Sequence, residues 1–281
     1  MPFSVHGYES VSQVPKLGAT IHCFTEPVMS VACYHLSLAW APLLLALTIS
    51  STMLICYLVA VVKGSVLAEF PMISATGAFP PESCIFSQGL NLASFFSLLC
   101  VYLWHRIAHE QTKYMGTKQP KCVLYWSLVV GALASLGLSL VGNFQMVNVV
   151  AVHDVGAIMA FGGCTIYIFM TTHICRRYLG YRAIYWVLRL LLALGCLVSS
   201  LIFLGCRITY HTLYHTDSFA LLTRVLPTDP GYTEFICSAS AEWVLALCII
   251  MYFLSLAPEF RKYALQMPQA VGSSMWNQSS K

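Results

Sequence analysis

Six long apolar stretches organise this chain, at residues 39–62, 85–104, 122–141, 149–172, 183–206 and 235–257. The hydrocarbon core of a bilayer is about 30 Å thick, and about 20 apolar residues in helical form cross it. Each stretch therefore predicts one membrane-spanning helix. Helix is the required form because lipid offers no partner to a bare N–H or C=O. The alternating segments of about ten residues that build a transmembrane barrel do not occur. The first stretch runs apolar from Ala39 to Val62 and is closed by Lys63. It begins too far into the chain, and is too long, to read as a cleaved signal peptide. The predicted fold is all-α, a polytopic membrane protein with a six-transmembrane-helix bundle over 39–257. A tail of residues 1–38 precedes the bundle and a tail of residues 258–281 follows it.

Composition agrees with this pattern. Of 281 residues, 58% are hydrophobic and only 9% charged, against about 25% charged in an average soluble domain. The formal charge of +4 is too small and too scattered to predict nucleic-acid binding, but its distribution predicts orientation. One side of the membrane holds Lys16, Arg106, Lys113, Lys118, Lys121, Arg176, Arg177, Arg182, Arg261, Lys262 and Lys281. The other holds Lys63, Arg207 and Arg224. By the positive-inside rule both termini are expected in the cytosol, and loops 63–84, 142–148 and 207–234 on the lumenal or exterior side. The sequon Asn277-Gln278-Ser279 then lies on the cytosolic side, where no glycosylation is expected, and Tyr8-Glu9-Ser10-Val11 fits a tyrosine-type sorting pattern.

Ionisable groups inside a span are costly, about 2.5–3.5 kcal/mol each on insertion scales. His153, Asp154 and Glu242 fall just below the expected lumenal surface, with Gln88 and Asn91 at similar depth. They read either as a polar pocket that holds a ligand headgroup or titrates, or as hydrogen bonds that set the register of the bundle. Arg189, near the opposite face, reads as a side chain that snorkels to the headgroups. Small residues at Gly156, Ala160 and Cys164, and at Gly131 and Ser135, predict close helix contacts. The twelve cysteines include no C-x-x-C pair, which argues against a metal or cluster site. On the lumenal side the candidate cysteines are Cys84, Cys206 and Cys237, and Cys84 with Cys237 is the candidate disulfide in an oxidising compartment. His105/His109 and His211/His215 are spaced i, i+4 without a third ligand, so no metal and no cofactor are expected. No phosphate loop, nucleophile elbow or dinucleotide fingerprint occurs, and the chain is not read as an enzyme.

The first lumenal loop reads Phe70-Pro71-Met72-Ile73-Ser74-Ala75-Thr76-Gly77, then Pro80-Pro81-Glu82-Ser83-Cys84. Asn91 follows in span two, then His153 with Gly156, Trp186-x-x-Arg189, Ala241-Glu242-Trp243 and Glu259-Phe260-Arg261. Over roughly residues 39–265 this order resembles the damage-regulated autophagy modulator family, the DRAM/Sfk-type six-span membrane proteins. In that resemblance Thr76, Gly77, Pro80, Pro81, Glu82 and Cys84 are the loop-motif positions. It implies a non-enzymatic multispan protein that regulates autophagy and cell survival, at lysosomal or endosomal membranes, with the plasma membrane as the alternative. Other branches of the family imply a second possibility, a lipid-handling accessory in glycolipid-anchor or phosphoinositide pathways. The expected partners are the lipid bilayer and unidentified membrane or cytosolic proteins.

Overall fold

A computed structural model describes residues 37–116, 120–214 and 223–264. Most of both tails, the Tyr8 pattern, the Asn277 sequon and His215 lie outside the described residues. The described chain is helical: α1 (Trp40–Lys63), α2 (Ile73–Thr76), α3 (Glu82–Tyr114), α4 (Lys121–Asn143) and α5 (Val150–Ala157). A π-helical turn (Ile158–Gly162) joins α5 to α6 (Gly163–Arg177), and α7 (Ala183–Tyr214), α8 (Tyr232–Leu254) and α9 (Ala257–Phe260) follow.

Six helical segments are long and apolar enough to cross a membrane: α1, α3, α4, the α5–α6 run, α7 and the α8–α9 run. In the most apolar window of each, only 22% to 44% of residues are buried. Most of the apolar surface therefore faces outward, as lipid contact requires and water would not tolerate. The helices overshoot the stretches read from hydropathy. With 33 residues, α3 is about 50 Å long at 1.5 Å per residue. Its last turns bury Ile107, Ala108 and Thr112 while Arg106 and Glu110 stay exposed, so a polar–apolar stripe carries the helix beyond lipid.

The spans pack in chain order around a ring. α1 contacts α3, α3 contacts α4, α4 contacts the α5–α6 run, α6 contacts α7, α7 contacts α8, and α8 returns to α1. At one end Gly64 closes α1 in the left-handed conformation (φ 70°), the usual glycine stop for a helix. The chain then forms loop one and α2, which define the loop-one end of the bundle. At the other end, the tail end, Leu38 N–H donates to the Tyr263 carbonyl at 3.0 Å and ties the two flanks of the bundle together.

Small residues set the closest crossing. A β-carbon on Gly137 of α4 would lie 2.5 Å from the Ala160 backbone nitrogen and 2.7 Å from the Gly156 carbonyl oxygen. The Gly156 and Ala160 ridge thus packs backbone to backbone on α4. The tail half is filled by aromatic rings: Tyr167 meets Trp104, Tyr252 and Phe253 with centroids 6.2, 6.0 and 6.4 Å away. Buried polar residues occur in the loop-one half too, among them Glu82, His153 and Glu242.

Candidate functional site

Loop one folds back over the bundle as a cap, and α8 holds it. The buried Glu242 carboxylate accepts the Ile73 N–H at 2.8 Å and the Ser74 N–H at 3.4 Å. These are amides at the start of α2, whose first turn leaves them without intrahelical partners. Next to it, Trp243 Nε1 donates to the Pro71 carbonyl at 2.9 Å, and its ring meets Tyr57 edge-on. Thr76 Oγ1 donates to the Ile73 carbonyl at 2.7 Å. A β-carbon on Gly77 would lie 2.4 Å from the Phe86 ring, so only glycine fits there. A cis bond joins Pro80 to Pro81. Glu82, whose side chain is wholly buried, pairs with Lys63 at 3.1 Å, and Lys63 also donates to the Pro80 carbonyl. Apart from the exposed Cys84, the loop-motif residues thereby belong to one latch between α1, α3 and α8.

Beneath the cap lies a cavity of about 320 Å³ between the spans. Its walls are Leu, Ile, Met and Phe side chains, and its polar lining near the cap is Ser74, His153, Asp154, Arg207 and Glu242. His153 Nδ1 lies 2.7 Å from the Phe144 carbonyl. A carbonyl only accepts, so this nitrogen carries a proton and fixes the ring. Asp154 Oδ1 accepts from Arg207 at 3.0 Å, joining α5 to α7.

The structure brings His153, Asp154 and Glu242 to one cavity and places the other two polar residues elsewhere. Gln88 points outward and is exposed. Asn91 lies in the seam between α3 and α4, where it exchanges side-chain amide hydrogen bonds with Asn143 at 2.9 and 3.0 Å and accepts from Ser139 at 2.6 Å. Equal depth in the membrane did not mean equal direction, because helix rotation decides which side chains turn inward.

Two further expectations are corrected. The Cys84–Cys237 disulfide is not formed: both thiols are free and exposed. In the ring, α1 stands between α3, which carries Cys84, and α8, which carries Cys237. Cys237 instead lies near Cys206 of α7. Nor does Arg189 snorkel. It is 0% exposed, pairs with Glu259 of α9, and donates to the Ser255 carbonyl at 3.0 Å and to Cys175 Sγ at 3.2 Å. Its guanidinium also lies over the Tyr181 ring. Burial beside the Glu259 carboxylate keeps the Tyr181 phenol well above its ordinary range, so it stays a donor, to Gln111 Oε1 at 2.8 Å.

Three acid–base pairs went unread in the sequence, Lys63–Glu82, Asp154–Arg207 and Arg189–Glu259. The available signal was helix continuation: α7 runs past residue 206 and α9 past 257, which carries Arg207 and Glu259 into the bundle. Among the described residues, no three His, Cys, Asp or Glu side chains converge as a metal site would require.

Comparison with known proteins bears on the whole arrangement. Residues 37–263 match the model of the Frag1/DRAM/Sfk1/Cwh43P N-terminal domain, and that match takes in every described span, the cap latch and Glu259. The chain belongs to this family. Among its Frag1/DRAM/Sfk1 relatives, the rat DNA damage-regulated autophagy modulator protein 2 is 31% identical, over 83% of this chain and 88% of its own. The human DNA damage-regulated autophagy modulator protein 1 is 27% identical, over 86% and 99%. The mouse modulator of macroautophagy TMEM150B is 31% identical, over 79% and 84%. No solved structure matches the chain at a significant level.

Proposed function

We propose that this protein is a non-enzymatic modulator of autophagy and cell survival, resident in lysosomal or endosomal membranes, with both termini in the cytosol and the loop-one cap in the lumen. The observation that carries this reading is the family match across the complete bundle, with relatives named as autophagy modulators. The use of the buried acids supports a non-catalytic role. Glu82 and Glu259 each pair with a cation away from the cavity, and Glu242, which borders it, is engaged by the Ile73 and Ser74 amides, whereas an acid or base catalyst must be free to face its substrate. The charge asymmetry of the loops supports the orientation.

The test is to tag the protein at its endogenous level, map it against lysosomal and plasma-membrane markers, and measure autophagic flux after depletion and rescue. Lysosomal or endosomal residence, with flux altered on depletion and restored by the wild-type chain, is the expected result. Residence confined to the plasma membrane with unchanged flux would overturn the reading. Accessibility of terminal tags after selective permeabilisation of the plasma membrane checks the orientation.

A further inference from the structure

The ring of helices is tight everywhere except at one place. α6 packs along α7 and the π-helical turn touches it, but α5 scarcely approaches α7. The wall of the cavity is therefore thin between α5 and α7 in the loop-one half. Ile158, at the start of the π-helical turn, and Leu204 of α7 are wall residues here. Both line the cavity, yet they are 67% and 49% exposed, so the same side chains border the interior and the outside. Gly162 also lines the cavity, and a β-carbon there would meet nothing within 4 Å. The mouth is bounded towards the cap by the Asp154–Arg207 pair at 3.0 Å and towards the tail end by the edge contact of Phe161 with Phe203. From Asp154 to Phe161 the chain rises about 10 Å. A π-helical turn at this spot fits a site, since such turns are frequent at functional sites.

We propose that this seam is a lateral portal through which one hydrocarbon chain of a membrane amphiphile enters the cavity, its headgroup staying at the mouth beside the Asp154–Arg207 pair. The apolar walls reject a free polar metabolite, and the mouth opens among outward-facing apolar residues such as Leu201 and Ile208, so the occupant comes from the bilayer. About 320 Å³ sits at the lower end of the roughly 300–1,000 Å³ typical of small-molecule sites, room for a chain and not a whole lipid. At the rim the Asp154–Arg207 pair gives a headgroup a polar edge to rest on. Deeper in, the Ser200 hydroxyl lies on the cavity wall, buried and without a hydrogen-bond partner. An ester carbonyl arriving with the chain gives it an acceptor. This inference does not depend on the autophagy reading.

The test uses the full-length protein in nanodiscs containing a phosphatidic acid with a photoactivatable acyl chain, followed by peptide mapping. Label is expected in segments 153–164 and 200–207. Gly162→Trp from one lip and Leu204→Trp from the other should each lower that label by roughly tenfold, while Gln88→Ala leaves it unchanged. Competition by an unlabelled lysophosphatidic acid alone assigns a free single-chain amphiphile. Competition by the diacyl lipid assigns a bilayer lipid with one chain inserted. Label spread over the outer helix faces and insensitive to both tryptophans overturns the portal.

Discussion

At the scale of single residues, Arg189 shows how a charge is tolerated inside the membrane part of the chain. Removing one member of a buried pair leaves the other uncompensated, at about 3–5 kcal/mol, whereas removing both in favour of apolar groups is often neutral. Arg189→Leu and Glu259→Leu should each lower the thermal midpoint in detergent sharply, and the double variant should recover most of the loss. Cys175, buried against Arg189, provides the readout through a thiol-reactive dye that reports its exposure on heating. The sequence showed Arg189 as an anomaly but not its answer. Glu259 lies two residues beyond the last apolar stretch, in what hydropathy assigns to a tail. Glu242 is the same case at the other end: its cost was visible, but its partners are amides 168 and 169 residues away, and no local pattern encodes such a contact.

At the scale of elements, the loop-one cap and the glycine crossing are the sensitive parts. Glu242→Gln weakens the charge-assisted bonds to the amides of Ile73 and Ser74, which are worth about 1.5–3 kcal/mol. Amide hydrogen exchange should rise across residues 71–78 and change little in α4. Gly137→Leu drives a side chain into the backbone of the π-helical turn and should prevent a stable bundle from accumulating, judged by size-exclusion profile and yield. Gly162→Ala, where space is open, should leave both unchanged. The spans were legible because lipid imposes a length and an apolar content on each one. The π-helical turn was not, because Ile158–Gly162 is as apolar as its neighbours and only the packing against Gly137 sets it apart. The loop motif was legible as a resemblance, and its physical meaning, a latch between Glu82, Lys63 and the Glu242-Trp243 pair, came only with the fold.

At the scale of the whole molecule, the ring order determines which distant residues can meet. Because α1 separates α3 from α8, mild oxidation should join Cys206 to Cys237 and leave Cys84 free, as peptide mapping under non-reducing conditions would reveal. The same order puts the last span beside the first, so that both ends of the ring are finished by the same late segment. Glu259 is made 70 residues after Arg189. At about 5–20 residues per second, a nascent α7 waits several seconds beside lipid with its arginine unanswered. Loop one waits longer still for the carboxylate that pins it. Until the final helix leaves the ribosome, the young protein is an open bracelet carrying a stranded cation, recognisable to any quality-control machinery that patrols the membrane for misplaced charge. The closing segment is thus the clasp, and a chain cut short before it would remain permanently marked as unfinished.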